Sequence, residues 1–165
     1  MSSLAFKDRF IEMGDSAEDA FRTWAEKYKI SVEEWGLKRP NFTAFKDLPK
    51  NVRHEPDFIC ESLKKHRSPI HPRHFFVEAK GVGKDQIIKI KYEDLETVAG
   101  SIDFHGLPCY FFVNDTSFKR VGMFDFMTLT RHMLDEGMIH SEFWEGKKYV
   151  GIPTNVEWFL FWENK

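Results

Sequence analysis

The residue types best suited to chemistry in this 165-residue chain stand in two short runs, His54-Glu55-Pro56-Asp57-Phe58-Ile59-Cys60 and Phe75-Phe76-Val77-Glu78-Ala79-Lys80-Gly81. Both read as strands. Alternate side chains of a strand share a face, so Glu78 and Lys80 would point the same way. Asp57 follows a proline and opens an apolar run, which delivers a second carboxylate at the start of a neighbouring strand. Carboxylates gathered at strand ends repel one another unless a cation stands between them, and their oxygens are the ligands that Mg2+ selects. The chemistry indicated is hydrolysis at a divalent metal, with Lys80 as the adjacent ammonium. Glu78 and Lys80 alone would be an ordinary exposed ion pair worth little; the pattern gains weight from Pro56-Asp57.

Other elements must position these groups. Residues 15–28 predict a helix, with Ser16 as N-cap and Asp19 completing a capping box. Ala17, Ala20, Phe21, Trp24, Ala25 and Tyr28 recur at helical spacing as its buried stripe. Glu18 lies at the edge of that stripe, where a carboxylate faces the rest of the fold, although the helix dipole alone also favours an acid there. Residues 35–45 predict one or two strands with turns, and Gly81-Val82-Gly83 ends the Glu78 strand. A helix is expected over residues 85–99, followed by a buried strand over 109–113 reached by a helical crossover. Residues 118–123 and 147–153 predict strands, and 126–136 a helix. The aromatic tail over 156–162 would either close the core or form a dimer surface.

Pro56-Asp57 followed by Glu78-Ala79-Lys80 resembles the signature of the PD-(D/E)xK nuclease superfamily, over roughly residues 14–115. The resemblance implies an α/β (α+β) fold with a restriction-endonuclease-like core, a central mixed β-sheet flanked by helices. Its element order is a helix, a meander of antiparallel strands, a crossover helix and a further strand. A single nuclease domain would span 1–165, with its core over about 14–115 and a C-terminal extension over about 116–165. By the same resemblance Asp57 is the central metal ligand, Glu78 the second and the Ala79 carbonyl a third. Lys80 positions the attacking water and helps to deprotonate it. Glu18, with Glu12 as a weaker candidate, holds a second ion or a metal-bound water. The cofactor would be Mg2+, with Mn2+ able to substitute. The substrate would be DNA, cut endonucleolytically to leave 5'-phosphate ends. A small stand-alone domain of this kind looks similar to Holliday-junction resolvases and phage junction endonucleases, and to compact homing or restriction endonucleases. Each would favour a homodimer, since cutting two strands with one site per chain needs two chains.

Composition bounds these expectations. A net charge of −2 argues against coating nucleic acid by bulk charge. Local basic surface suffices for a nuclease, and Lys64, Lys65, Arg67, Arg73 and Lys84 supply candidates for phosphate contact. Cys60 and Cys109 fall in predicted strands, as buried thiols rather than a disulfide framework. No apolar run is long enough to cross a bilayer, and the first residues lack a signal peptide's pattern, so a soluble cytoplasmic protein is expected, with a phage genome open as its source. Gly81-Val82-Gly83-Lys84 lacks the spacing of a phosphate-binding loop, and Cys60, His66, His71 and His74 lack standard zinc spacing. The alternative from a different class is a non-catalytic nucleic-acid-binding module with a nuclease-like fold.

Overall fold

The structure is a computed structural model that describes residues 3–36, 55–62, 72–142 and 146–165, with side chains from residue 12 onward except residue 142. Its first element, α1 (Ser3–Lys27), begins a full thirteen residues before the expected N-cap at Ser16. Gly14 does not stop it, because one interior glycine costs only about 1 kcal/mol relative to alanine. Ser16 is therefore an interior residue, and its Oγ and carbonyl accept the Asn114 side-chain amide at 3.1 and 3.2 Å.

Three antiparallel strands follow, β1 (Ile30–Glu34), β2 (Phe58–Ser62) and β3 (His74–Val82). The helix expected over 85–99 is divided: residues 87–91 form β4 (Ile87–Lys91), and α2 (Tyr92–His105) starts only at Tyr92. Ile88 and Ile90 alternate with lysines and pair with a strand far along the chain, a partner that local periodicity cannot reveal. Gly106, with φ of +68°, ends α2 in the left-handed conformation that glycine adopts without strain. The chain then enters β5 (Cys109–Asp115), which lies parallel to β3.

The rest comprises β6 (Arg120–Asp125), α3 (Phe126–His132), β7 (Ile139–Glu142), β8 (Lys148–Pro153) and β9 (Phe161–Asn164). Asp125 caps α3 by accepting the Thr128 amide at 2.8 Å. The central sheet has the order β1-β2-β3-β5-β6-β9, with β3–β5 its parallel pair among antiparallel neighbours, and β4-β8-β7 form a second, antiparallel sheet. Helix, antiparallel meander, crossover helix and parallel strand occur in the order expected of a restriction-endonuclease-like core.

Strand alternation builds a core on each face of the central sheet. Phe75, Val77 and Ala79 of β3 and Tyr110 and Phe112 of β5 meet Ala17, Phe21, Trp24 and Ala25 of α1. Phe76 and Val82 of β3 and Cys109, Phe111 and Val113 of β5 point the other way, to Leu95 and Val98 of α2 and to Ile88, Ile90, Val150 and Ile152 of the second sheet. Every residue of β5 is buried, as a strand covered on both faces must be. The tail resolves toward the core: Phe161 packs on the α1 side, while Trp158, Phe159 and Trp162 pack on the other. Each fully buried phenylalanine contributes about 1.5–3 kcal/mol relative to exposure, so these layers fix the sheet that carries the site.

Candidate active site

Glu78 and Lys80 lie on the face of β3 that looks toward α2, among core residues Phe76 and Val82 of the same strand. Asp57 reaches them from β2. The β2–β3 ladder ends at Phe58 and Val77, and the chain bends at Asp57, whose backbone amide serves the Glu78 carboxylate. The Ala79 amide turns to the Asp57 carboxylate, donating to Oδ2 at 2.8 Å. Asp57's own carbonyl accepts the Trp35 amide at 2.9 Å, which anchors the acid to the β1 side as well.

The Lys80 ammonium stands 2.7 Å from Glu78 Oε1 and 3.4 Å from Asp94 Oδ2, all three side chains being less than one-quarter exposed. Burial, then the neighbouring Glu78 charge, pushes the Asp57 carboxyl well above its ordinary range, and Glu18 adds to that push. Burial likewise raises Glu78, with Lys80 working against it. Burial works to lower Lys80, but the charges of Glu78, Asp94 and Asp57 outweigh it and hold the amine protonated. The electrostatic picture is an excess of carboxylate around one ammonium in a sheltered site.

The structure thus brings together Asp57, Ala79, Glu78 and Lys80. Glu18 acts on Asp57 through its charge, and its carboxylate stands 3.7 Å from the Arg22 guanidinium. Glu12 lines a shallow hollow with Met13, Ser16, Gly81 and Asn114. The sequence pattern does not mark Asp94, because it predicts a helix that begins seven residues earlier. A helix start at Tyr92 would have set Asp94 in the first turn beside the Glu78 strand.

No family model matches the chain, and no curated protein matches it. Among solved structures, the fold is similar to that of Hjc, a Holliday junction resolvase from the archaeal hyperthermophile Archaeoglobus fulgidus, at 11% identity and a TM-score of 0.49, covering 85% of this chain and 83% of that one. D212, a nuclease from a fusellovirus, is similar at 13% identity and a TM-score of 0.48, covering 99% and 89%.

Of the expected phosphate contacts, Lys64, Lys65 and Arg67 lie outside the described residues. Arg73 is exposed and gives both Nε and Nη2 to Glu61 Oε1, at 2.9 and 2.8 Å. Lys84 is exposed in the turn after β3. Cys60 and His74 sit on opposite faces of the β2–β3 pair, Cys60 opposite buried Phe75 and His74 opposite Glu61, so those two do not share a zinc site. Among the described residues no helix is long and apolar enough to cross a membrane.

Among the same residues, no three His, Cys, Asp or Glu side chains are disposed to hold a metal ion. The donor set gathered here is smaller: two carboxylates, Asp57 and Glu78, and the backbone carbonyl of Ala79. That set suits Mg2+, which keeps several waters and binds through one or two carboxylates plus substrate phosphate rather than in an all-protein cage.

Proposed function

We propose that this chain is a Mg2+-dependent DNA endonuclease that leaves 5'-phosphate ends, with Mn2+ able to substitute. The observation that carries the reading is the convergence of Asp57, Glu78 and Lys80, with the Ala79 amide bound to the Asp57 carboxylate and the Lys80 ammonium on Glu78. Asp57, Glu78 and the Ala79 carbonyl would hold the ion. When bound, the metal would neutralise phosphate charge and lower the pKa of the attacking water.

The chain's own groups supply the remainder. Lys80, kept protonated by the acids around it, orients the nucleophile and favours its ionised form through its charge rather than by accepting the proton. Its ammonium also offsets charge that develops on the phosphate. Glu18, within charge range of Asp57, holds a water or a second ion at the α1 side. Lys64, Lys65, Arg67, Arg73 and Lys84 contact phosphates and set affinity and salt dependence without setting sequence preference.

The substrate is proposed to be a branched junction or a specific duplex site, cut by a homodimer whose twofold axis matches a substrate with twofold symmetry. The alternative, a binding module without catalysis, is disfavoured by the presence of all the reacting groups. Incubation with a four-way junction, a flap, linear duplex, single strand and a genomic pool in Mg2+ tests the reading. Cleavage of one class, with 5'-phosphate termini, is expected; binding without cleavage in Mg2+ or Mn2+ would favour the alternative.

A further inference from the structure

We infer that Asp94 is a positioning residue of this site, anchoring the Lys80 ammonium while Glu78 is engaged by a cation. The inference rests on the nuclease reading for its purpose, but not for its geometry.

A nearly buried ammonium needs compensating charge wherever it is placed. Among the described residues Lys80 has two carboxylate partners in contact, Glu78 on its own strand and Asp94 on α2. Glu78 cannot serve Lys80 fully and ligate a metal at the same time, since a divalent cation would compete for the same carboxylate oxygens. Asp94 then keeps the ammonium beside β3.

The helix dipole does not account for the placement of Asp94. Lys91 caps α2 without a side-chain bond, and both Glu93 and Asp94 stand in the first turn, where either favours the positive end. Their environments differ. Glu93 is 46% exposed and pairs with Lys147 at 3.2 Å, so it serves the helix end from the solvent side. Asp94 is 23% exposed and turns inward to Lys80.

Two measurements test the assignment. The first needs no metal and no substrate: NMR of the Lys80 ammonium in protein labelled with 15N-lysine. In Glu78→Gln, Asp94 should keep that ammonium ordered and slow to exchange, whereas Glu78→Gln combined with Asp94→Asn should broaden the signal and speed its exchange. Release of Lys80 in Glu78→Gln alone would overturn the inference whether or not the protein cuts DNA. The second measurement is kinetic. Asp94→Asn should lower kcat about 10- to 100-fold, with KM for DNA and the Mg2+ concentration for half-maximal rate unchanged, and Asp94→Glu should recover most of the rate. A loss that rising Mg2+ restores would make Asp94 a metal ligand, and an unchanged kcat would remove it from the site; either result overturns the inference. Absence of any cleavage by the wild-type protein would sink the nuclease reading, while the NMR comparison still decides what holds Lys80.

Discussion

The Asp57 carboxylate accepts the Ala79 amide at 2.8 Å, beyond the last β2–β3 pair of Phe58 and Val77. One side chain thereby closes the ladder and carries the acid of the neighbouring strand to Glu78 and Lys80. Asp57→Asn keeps an acceptor for that amide and removes the charge. In the absence of divalent metal at neutral pH, this variant should melt higher than wild type, because it relieves repulsion with Glu78. Mg2+ at 100 times its Kd should stabilise wild type by about 2.7 kcal/mol and Asp57→Asn by far less. Thermal melts with and without Mg2+ check both expectations.

The pH dependence has a definite sign. Burial, then Glu78, raises the folded-state pKa of Asp57, so the folded chain binds more protons at this site than the unfolded one. The stability this contributes is fully present below the unfolded pKa of about 4 and is lost as pH rises through the folded value. The advantage of Asp57→Asn over wild type, in chelator, should therefore grow from acid to neutral pH. Urea unfolding across that range would contradict the assignment if the advantage stayed constant.

Asp115 makes the opposite case. Its fully buried carboxylate accepts Arg120 Nε at 2.9 Å, Gln86 Nε2 at 3.1 Å and the amides of Ser117 and Phe118. Burial pushes its pKa up, but Arg120, Gln86 and the Phe118 amide together outweigh burial and hold it below the ordinary range. Asp115→Ala would leave Arg120 without its carboxylate and two amides without an acceptor, at a cost of about 3–5 kcal/mol. Denaturant titration measures the loss, and a change under 1 kcal/mol would show that the network is solvated.

At Gly81 a Cβ would stand 3.0 Å from the Met13 carbonyl, so α1 approaches β3 more closely than a side chain there allows. Gly81→Ala should push α1 away and cost on the order of 1 kcal/mol. Because α1 carries Glu18, the cleavage rate should fall more than binding does. Parallel unfolding and single-turnover assays separate the two effects.

The acids and the lysine were legible because each motif is local: a proline fixes where β2 starts, and strand alternation sets Glu78 and Lys80 on one face. The early start of α1 is not legible, since Ser16 and Asp19 make a plausible capping box, yet the helix runs through both from Ser3. The same holds for β4, whose partner β8 lies some sixty residues on. Read as helix, residues 87–91 shift the expected start of α2 and leave Asp94 unmarked. The tail showed its aromatic character but not its side, which depends on β9 pairing with β6.

The most direct test is cleavage of an end-labelled DNA panel in Mg2+ by wild type and by Asp57→Asn, Glu78→Gln and Lys80→Met, with DNA binding measured on the same preparations. Wild type should cut, and each variant should lose at least about 100-fold in rate while retaining binding. Cleavage by Asp57→Asn at the wild-type rate would contradict the account.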